Sequence, residues 1–460
     1  MPDIALPPEI FKAYDIRGVV GRTLTPAIVQ RIGHGLGTLA LESGRDTIVV
    51  GRDGRLSGPA LAGALADGIR AAGAHVIDIG MVITPMTYFA AVHLGTHCSV
   101  AVTGSHNPPD YNGLKMVING DTLSGDAIQA LRRKLEAGEL RHGAGSLRVD
   151  NVGPAYIDRI AGDVKLARPL WIIVDCGNGV AGAYAPALYR RLGCDVTELY
   201  CEVDGTFPNH HPDPSQPKNL EDMIALLAKG QHDLGLAFDG DGDRLGVVTR
   251  NGKIIYSDRQ LMLFAADMLK REPGATVIYD VKSTRKLKPW IAEHGGVPFL
   301  WKTGHSLIKA KMKEINAALA GEMSGHTFFK ERWYGFDDGL YAGARLLEIV
   351  SRDSDPSRVL EELPDAIATP ELNIQCAEGE HHALIARLAQ SAQFPGATDV
   401  IRIDGLRVEY PDGFGLARAS NTTPVVVLRF EADNEDAMSR IQREFRRVLT
   451  EVEPNVQLPY

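Results

Sequence analysis

Residues 234–243 read LGLAFDGDGD, a short run of apolar and glycine residues that ends abruptly in a loop of glycine and aspartate. Short continuous apolar runs between polar loops are typical of strands buried in a parallel or mixed sheet. The same arrangement recurs as TIVVGRDGR (47–55), SVAVTGSHN (99–107), WIIVDCGNG (171–179) and TVIYDVKST (276–284). This repeated strand followed by a polar loop decides the fold class.

Segments with helical periodicity lie between these strands, for example 59–73 and 220–230, and both end in glycine, a common helix stop. Alternation of strand, loop and helix predicts α/β units. Ligands of such sheets bind beyond the carboxyl ends of the strands. We therefore expect the functional residues in the polar loops.

The chain has 460 residues, a length typical of several domains. The blocks of strands and helices predict four domains: three α/β domains and a smaller α+β domain at the C-terminus. The predicted bounds are 1–150, 151–253, 254–366 and 367–460.

Two stretches mark the predicted boundaries. HGAGSLRVDNVG (142–153) loses apolar periodicity, and SRDSDPSRV (351–359) has the polar composition of a linker. In the last domain, strand candidates alternate with helix candidates. The strands are expected at 372–376, 399–405 and 424–432, and the helices at 381–392 and 436–452.

Composition excludes several classes of protein. The net charge of −9 argues against a general nucleic-acid binder, which needs a cationic face. No apolar run approaches the roughly 20 residues that span a bilayer, and the N-terminus lacks the pattern of a signal peptide. The five scattered cysteines fit neither a zinc site nor a disulfide framework. We expect a cytoplasmic protein with no membrane or nucleic-acid partner.

The loop at 239–243 places Asp239, Asp241 and Asp243 at alternate positions between glycines, directly after a strand. Three carboxylates that converge in this way repel one another unless a hard cation binds them. The loop is not an EF-hand, because position 250 is Arg where that motif needs Glu. The pattern predicts a Mg²⁺ site, and the simpler alternative is an acidic solvated turn.

The stretch TGSHNPPDYNG (103–113) also follows a strand and places Ser105 near the start of a glycine-containing loop. Gly, Ser, Asn, Pro and Asp are ordinary turn residues, so a plain turn is an open alternative. There is no G-x-S-x-G elbow around Ser105, which argues against an acyl-transfer hydrolase.

Two further loops carry polar groups suited to a sugar phosphate. RASNTTP (418–424) offers a guanidinium, hydroxyls and an amide, a donor set that matches phosphate; a polar turn with one surface Arg is the alternative. GEMSGH (321–326) places Glu, Ser and His at alternating positions, suitable for sugar hydroxyls, although a plain loop explains it about as well.

Together these four loops resemble the α-D-phosphohexomutase superfamily, and the resemblance covers essentially the whole chain. TGSHNP-xx-YNG resembles the phosphoserine loop of that family, DGDGDR its metal loop, GEMSGH its sugar-recognition loop and RASNTTP its phosphate-binding loop. The resemblance implies four domains around a central cleft, of which the first three are related α/β domains with mixed sheets and the fourth is smaller. It also implies transfer of a phosphoryl group between the C1 and C6 oxygens of a hexose.

The resemblance also implies roles for individual residues. Ser105 corresponds to the phosphorylated serine, and its phosphoryl oxygen joins the three aspartates at Mg²⁺. Glu322 and Ser324 correspond to readers of the sugar 3- and 4-hydroxyls. The phosphate clamp corresponds to Arg418, Ser420, Asn421 and Thr422. The other cleft residues implied are Tyr14, Arg17, His106, Lys115, Arg244, Lys282, His305 and His326, of which His106, Lys115 and Arg244 are expected to act in catalysis.

GEMSGH resembles the bacterial phosphomannomutase/phosphoglucomutase branch, and Met323 stands where phosphoglucosamine mutases usually have Gln. We therefore expect mannose and glucose phosphates as substrates, glucose 1,6-bisphosphate as activator and a monomeric enzyme. Lys115, His106, His305 and Glu322 all stay open as the general acid/base. The competing interpretations are a metal-dependent phosphatase, a phosphoglucosamine mutase and a catalytically silent sugar-phosphate binder.

Overall fold

The computed structural model describes residues 5–377, 379–421 and 423–460. These residues form four β-sheets that follow one another along the chain, each with its own helices. The first three sheets are mixed and the last is antiparallel, which confirms the predicted fold class. The boundaries at 150, 253 and 366 stay predictions.

The first sheet lies in the N-terminal third of the chain. Its strands are β1 (Ile16–Val19), β2 (Thr47–Arg52), β3 (His75–Met81), β4 (Ser99–Val102), β5 (Tyr111–Ile118), β6 (Asp121–Thr122) and β7 (Leu147–Val149). The helices are a 3₁₀ turn (Pro8–Ile10), α1 (Pro26–Glu42), α2 (Gly58–Ala71), α3 (Thr84–His93) and α4 (Asp126–Ala137). The strand order is β1-β5-β4-β2-β3-β7, with β6 paired to β5.

The second sheet contains the strand that precedes the DGDGD loop. Its strands are β8 (Trp171–Asp175), β9 (Asp195–Leu199), β10 (Leu234–Phe238), β11 (Leu245–Thr249) and β12 (Ile254–Ile255). The helices are α5 (Gly153–Asp163), α6 (Ala185–Arg191), α7 (Glu221–Lys229) and 3₁₀ turns at Val180–Ala183 and Pro217–Leu220. The strand order is β12-β11-β10-β8-β9.

The third sheet has the order β14-β13-β15-β16. These strands are β13 (Thr276–Asp280), β14 (Val297–Trp301), β15 (Leu319–Gly321) and β16 (Thr327–Phe329). The helices are α8 (Ser257–Met268), α9 (Leu287–Glu293), α10 (His305–Ile315), α11 (Gly339–Val350) and α12 (Pro356–Glu361).

One four-strand arrangement is common to these three sheets. The orders β5-β4-β2-β3, β11-β10-β8-β9 and β16-β15-β13-β14 are equivalent, since each has three parallel strands and an antiparallel hairpin on the same side. The hairpin connections are residues 103–110, 239–244 and 322–326. The serine, aspartate and GEMSGH loops therefore occupy the same position in three copies of one topology.

The fourth sheet pairs β17 (Ile367–Ala368) and β18 (Leu372–Gln375) with β22 (Val425–Ala432), then continues through β21 (Gly413–Ala419) and β20 (Leu406–Tyr410) to β19 (Asp399–Ile401). Its helices are α13 (Glu380–Ser391) and α14 (Glu435–Val452). The RASNTTP loop connects β21 to β22. Asn434 caps α14, as its side chain accepts a hydrogen bond from the Ala437 N–H at 2.9 Å.

The apolar core does not divide as the sheets do. The four stretches of chain that carry the four sheets are called the first to fourth segments. One continuous core joins side chains of the first three segments, including Met86, Tyr156, Leu236 and Leu340, whereas the fourth sheet packs on its own core. Helix α11 contacts β10 and β11 of the second sheet as well as α8 and β16 of its own segment. The first three segments are therefore fixed to one another by shared packing.

The structure corrects two predictions about boundary segments. HGAGSLRVDNVG contains β7, an edge strand parallel to β3, which is too short and too exposed to show periodicity. SRDSDPSRV is not a plain linker, because α12 begins within it at Pro356. Asp355 caps that helix, and Ser357 is buried and accepts a hydrogen bond from the Arg250 N–H. Among the described residues, no helix is both long and apolar enough to cross a membrane.

Candidate active site

The four polar loops face one cleft with a volume of about 1130 Å³. Most of the residues implied by the resemblance line it: Tyr14, Arg17, Ser105, His106, Lys115, Arg244, Lys282, His305, Glu322, Ser324, His326, Arg418, Ser420 and Asn421. The three aspartates lie beneath its surface and are fully buried. Thr422 falls outside the described residues.

Ser105 follows β4 and adopts the left-handed backbone conformation, with φ of +49°. Its side chain is buried, and its Oγ donates a hydrogen bond to Asp239 Oδ2 at 3.0 Å. The same Oγ lies 3.2 Å from Nδ1 of His106. The first and second hairpin loops therefore place a serine hydroxyl directly on the aspartate cluster.

The aspartate cluster has the form of a cation site. Asp239, Asp241 and Asp243 each offer a carboxylate oxygen, and these oxygens lie within 4.8 Å of one another. Asp241 Oδ1 and Asp243 Oδ1 are buried without a hydrogen-bond partner. Burial, together with repulsion from Asp241 and Asp243, raises the pKa of Asp239 well above its usual value. Unpartnered buried oxygens that repel one another fit a hard divalent cation.

The other carboxylate oxygens of Asp241 and Asp243 are held by side chains from the first segment. Lys115 Nζ donates to Asp241 Oδ2 at 2.8 Å and to Asp243 Oδ2 at 2.5 Å. Thr84 Oγ1, at the start of α3, donates to Asp241 Oδ2 at 2.5 Å. Burial alone would lower the pKa of Lys115, but the attraction of Asp241 and Asp243 outweighs it and raises the pKa. Lys115 is therefore a fixed cation here.

The surroundings of two imidazoles of the cleft, those of His106 and His305, lower the pKa and so favour the neutral form. Burial, with the nearby Arg244 and Arg17, lowers the pKa of His106 well below its usual value. Burial and the neighbouring Lys309 do the same for the pKa of His305, whose ring centre lies 5.6 Å from that of His326. A neutral imidazole can accept a proton, so both groups suit general-base chemistry better than a fixed ammonium.

The second and third hairpin loops are joined by hydrogen bonds. Arg244 Nε donates to His326 Nε2 at 3.1 Å, and the Leu245 N–H donates to the Gly325 carbonyl at 3.2 Å. On its other side, His326 Nδ1 lies 3.1 Å from Asp337 Oδ2. Asp337 also accepts a hydrogen bond from Lys309 at 2.9 Å. The metal loop and the sugar loop are thus one connected unit.

In the third loop, Glu322 is buried and Oε1 accepts a hydrogen bond from the Gly304 N–H at 2.5 Å. Burial raises the pKa of Glu322. Ser324 is half-buried and lies at the cleft surface. The Met323 N–H donates to Asp280 Oδ1 at 3.2 Å, which ties the loop to the end of β13. The loop thus brings a carboxylate and a hydroxyl to the same cleft, and both groups can form hydrogen bonds with sugar hydroxyls.

Two cations that line the cleft, Arg418 from the fourth segment and Lys282 from the third, each have a carboxylate partner. Arg418 Nε donates to Asp404 Oδ2 at 3.0 Å. Lys282 Nζ donates to Glu371 Oε1 at 2.5 Å, which joins the third segment to the start of the fourth. A phosphate here would meet one guanidinium and one ammonium, the groups that bind it best in proteins.

Residues near the N-terminus connect the first segment to the others. Tyr14 donates from its hydroxyl to the Thr303 carbonyl at 2.7 Å and accepts from the Asn421 side chain. Arg17 donates to the Gly104 carbonyl at 3.2 Å and to the side chain of Asn107. Both residues therefore lie in the cleft as the resemblance implies, and Arg17 supports the serine loop.

Sequence reasoning missed several residues that the structure places at the site: Arg55, Thr84, Asp337, Glu371 and Asp404. Arg55 stands in the strand-end loop GRDGR and Asp337 in FDDG, so their position after a strand or before a helix was the available signal. The other three reach the site from helices or loops whose sequence carries no comparable signal.

Comparison with known proteins matches all four segments to one family. The matches are to phosphoglucomutase/phosphomannomutase alpha/beta/alpha domain I over residues 8–142, domain II over 154–252, domain III over 256–367 and the C-terminal domain over 371–448.

Similar proteins cover the whole chain. A phosphoglucomutase of Neisseria gonorrhoeae is 60% identical over 444 residues, 96% of each chain. A phosphomannomutase/phosphoglucomutase of Pseudomonas aeruginosa is 55% identical over 456 residues, 99% of this chain and 98% of that one. A crystal structure of a phosphoglucomutase/phosphomannomutase family protein from Burkholderia thailandensis superposes with a TM-score of 0.95 at 56% identity, covering 99% of this chain and 100% of the other. The four matched segments, the full-length relatives and the convergent loops agree, and the chain belongs to the phosphoglucomutase/phosphomannomutase family.

Proposed function

We propose that this protein is a hexose-phosphate mutase that interconverts the 1- and 6-phosphates of mannose and glucose. Ser105 carries a phosphoryl group and gives it to the free hydroxyl of the bound sugar phosphate, which forms a hexose 1,6-bisphosphate. The intermediate turns over in the cleft, and its other phosphoryl group returns to Ser105. Glucose 1,6-bisphosphate is the activator, because it phosphorylates Ser105 in the first place.

The observation that carries this proposal is the contact of Ser105 Oγ with Asp239 at 3.0 Å, in a cleft that Arg418 and Lys282 also line. A nucleophile and a phosphate clamp in one cleft match a sugar that carries a phosphate on one of its C1 and C6 oxygens and a free hydroxyl on the other. Phosphoryl transfer needs mainly positioning and charge stabilisation.

The unpartnered oxygens of Asp241 and Asp243, with Asp239, support a bound Mg²⁺, which the phosphoserine would also contact. When bound, the ion supplies charge neutralisation at the transferring group. Two residues around the ion also contribute to transfer. Arg244 holds the transferring phosphate, and Lys115 fixes the orientation of Asp241 and Asp243.

We propose that Glu322 and Ser324 hold the sugar by its 3- and 4-hydroxyls, since both line the same cleft as the nucleophile and the clamp. The clamp of Arg418, Ser420, Asn421 and Thr422, with Lys282, reads the charge of the phosphate that is not transferred. It therefore accepts a phosphate attached to either end of the sugar. Because the hydroxyls at C3 and C4 are the ones recognised, the site does not distinguish glucose from mannose, which differ at C2.

We also propose that the protein acts as a monomer in the cytoplasm on free hexose phosphates and not on nucleic acid. Its net charge of −9 disfavours nucleic acid. The five cysteines are thiols, as a reducing compartment favours.

One assay tests the function. Mannose 1-phosphate, glucose 1-phosphate and glucosamine 1-phosphate are each supplied with Mg²⁺ and catalytic glucose 1,6-bisphosphate, and both the 6-phosphate product and free phosphate are measured. We expect the 6-phosphates of mannose and glucose. Release of free phosphate without formation of the isomer would indicate a phosphatase. A preference for glucosamine 1-phosphate would indicate an amino-sugar mutase, and no turnover would indicate a binding protein. Each of these three results would contradict the proposal.

A further inference from the structure

Arg55 lies beneath the serine loop and uses every N–H of its guanidinium. Its Nη2 donates to the carbonyls of Ser105 at 2.8 Å and Asn107 at 2.6 Å, and its Nη1 donates to those of Pro108 at 2.5 Å and Tyr111 at 2.9 Å. Its Nε donates to Asp53 at 3.2 Å. The side chain is 1% exposed. A planar group with five donors is thus the template on which the loop is folded.

The conformation held by this template is an unfavourable one. Ser105 has φ of +49°, a left-handed conformation that residues other than glycine rarely adopt. Its carbonyl is fixed by Arg55, and its N–H donates to Thr103 Oγ1 at 2.8 Å. Both polar groups of the Ser105 backbone are therefore occupied, which leaves Oγ aimed at Asp239.

The packing around the guanidinium shows that the fit is close. A Cβ added to Gly104 would collide with the guanidinium carbon of Arg55, so the glycine allows the side chain to lie against the loop. On another side the ring centre of Phe207, from the second segment, lies 5.2 Å from Cζ of Arg55. Asp53 accepts from Thr103 Oγ1 at 2.8 Å and from the Gly104 N–H at 3.1 Å. Arg55 therefore connects the serine loop with Asp53 of the first segment and with Phe207 of the second segment.

We infer that Arg55 is a positioning residue for phosphoryl transfer, because it holds the backbone of the serine loop in the conformation that directs Ser105 Oγ onto the aspartate cluster. The inference rests on the proposed function, in which Ser105 is the nucleophile. Arg55 itself has no free N–H with which to contact substrate, so its effect passes through the loop.

The test replaces Arg55 by Lys, which keeps the charge but has no planar fork and cannot hold four carbonyls at once. A misplacement of about 1 Å at a reacting group costs on the order of 100-fold in rate. For Arg55→Lys we expect kcat to fall about 100-fold, while KM for glucose 1-phosphate changes little because the clamp and the sugar loop are untouched. The first phosphorylation of Ser105 by glucose 1,6-bisphosphate, followed by intact mass, is expected to slow by the same factor.

Arg345→Lys is the matched control. Arg345 is equally buried, is ion-paired with Glu331 at 2.8 Å and lies over the ring of Phe329, but it is in α11 and does not touch the serine loop. It reports the general cost of replacing a buried Arg by Lys. A kcat of Arg55→Lys no lower than that of Arg345→Lys, at equal folded fraction, would overturn the inference.

Phe207→Leu is a milder second variant, useful if Arg55→Lys does not fold. It removes the ring beside the guanidinium and leaves all of the hydrogen bonds of Arg55 in place, so we expect a severalfold fall in kcat with KM unchanged. A change in KM alone would contradict a positioning role. If wild-type protein neither accepts phosphate on Ser105 nor isomerises sugar phosphates, the proposed function fails; if wild type does both and the variants match it, only the role of Arg55 fails.

Discussion

In the proposed mechanism, the chemistry depends on the surroundings of one hydroxyl. A serine hydroxyl is a weak nucleophile on its own. In that mechanism Ser105 gains its capacity from the aspartate cluster at Asp239, which would hold the cation, and from a backbone conformation that most residues avoid. The same hydroxyl in an ordinary surface turn would have neither, so the reactivity belongs to the surroundings of Ser105 as much as to its side chain.

The first prediction concerns this residue. Ser105→Ala should remove the protein-bound phosphate, which is seen as a loss of about 80 Da in intact mass after incubation with glucose 1,6-bisphosphate. Ser324→Ala is the control, because Ser324 lies in the same cleft but on the sugar loop. It should keep the phosphate. A phosphate retained by Ser105→Ala would assign the phosphorylated position to another residue.

At this scale, much of the site was readable in the sequence. The aspartates, the serine and Arg418 were found because their types and spacing suit only a few kinds of chemistry. Arg55 and Asp337 were not found. Arg55 matters because it binds backbone carbonyls, and Asp337 matters because it lies against the imidazole of His326. Such contacts exist only after the fold has brought together residues that are distant in sequence.

At the scale of elements, helix α11 connects the sugar loop, the metal loop and the core. It begins directly against the metal loop, where the Gly339 N–H donates to the Gly242 carbonyl at 3.2 Å. Its cap is Asp338, which accepts hydrogen bonds from the Tyr341 N–H at 2.9 Å and from the hydroxyl of Tyr156. Burial of this carboxyl raises its pKa to about 7.

The second prediction follows from that cap. Between about pH 4 and pH 7 the folded protein keeps a proton on Asp338 that the unfolded chain has lost, so this residue lowers stability as pH rises through that window. Asp338→Asn keeps the hydrogen-bond acceptor but cannot ionise. Its melting temperature relative to wild type should therefore be higher at pH 8 than at pH 5.

Asp355→Asn, at the exposed cap of α12, is the control for this comparison. Its difference from wild type should be similar at both pH values. If the Asp338→Asn difference is also independent of pH, the carboxyl of Asp338 does not titrate in the window.

Elements were predictable where local pattern and tertiary environment agree. The strands at 47–50, 99–102, 171–175, 234–238 and 276–280 are apolar because the sheet buries both of their faces. The strand β7 was missed, since an exposed edge strand needs no apolar pattern. Helix α12 was missed because its few residues carry too little periodicity to distinguish it from a polar linker.

At the scale of the whole molecule, the fourth segment differs from the others because it adds no side chain to the core that the first three share, and only a small cluster of Phe414 and Leu416 with Val281 joins it to the third segment. We propose a hinge at residues 365–370, where β17 pairs with β22. A segment with a separate core can rotate as a unit more easily than one that shares its packing, and its closure over the cleft would exclude water from the phosphoserine.

The third prediction tests that hinge. Replacing Pro370 by Gly should change kcat because the connection becomes less rigid, while binding of glucose 1-phosphate persists because Pro370 supplies no polar group to the clamp. Steady-state kinetics and titration calorimetry measure the two quantities. Kinetics identical to those of wild type would argue against a hinge at this position.

The fourth prediction concerns the ion pair between the third and fourth segments. Glu371 occupies Lys282 at 2.5 Å, so an incoming phosphate must compete with it. Glu371 is partly exposed, and pairs of this kind are worth about 0.2–1 kcal/mol. In a Ser105→Ala background, which prevents turnover, Glu371→Gln should bind glucose 1-phosphate up to about fivefold more tightly.

Glu362→Gln is the control, because Glu362 pairs with Arg358 on α12 and not with Lys282. Its affinity for glucose 1-phosphate should equal that of the Ser105→Ala parent. Weaker binding by Glu371→Gln would mean that Glu371 supports the phosphate site and does not compete with its ligand.

The equivalent hairpins of the first three sheets have one more consequence. A unit copied within a gene begins with identical turns, and in the proposed function the three copies differ in role, since one donates the phosphoryl group, one holds the cation and one selects the sugar. Because each turn has a separate role, the sequence of one turn can change without disturbing the other two. A new sugar preference can therefore evolve, or be engineered, through five residues of the third copy while the inherited transfer chemistry stays in place.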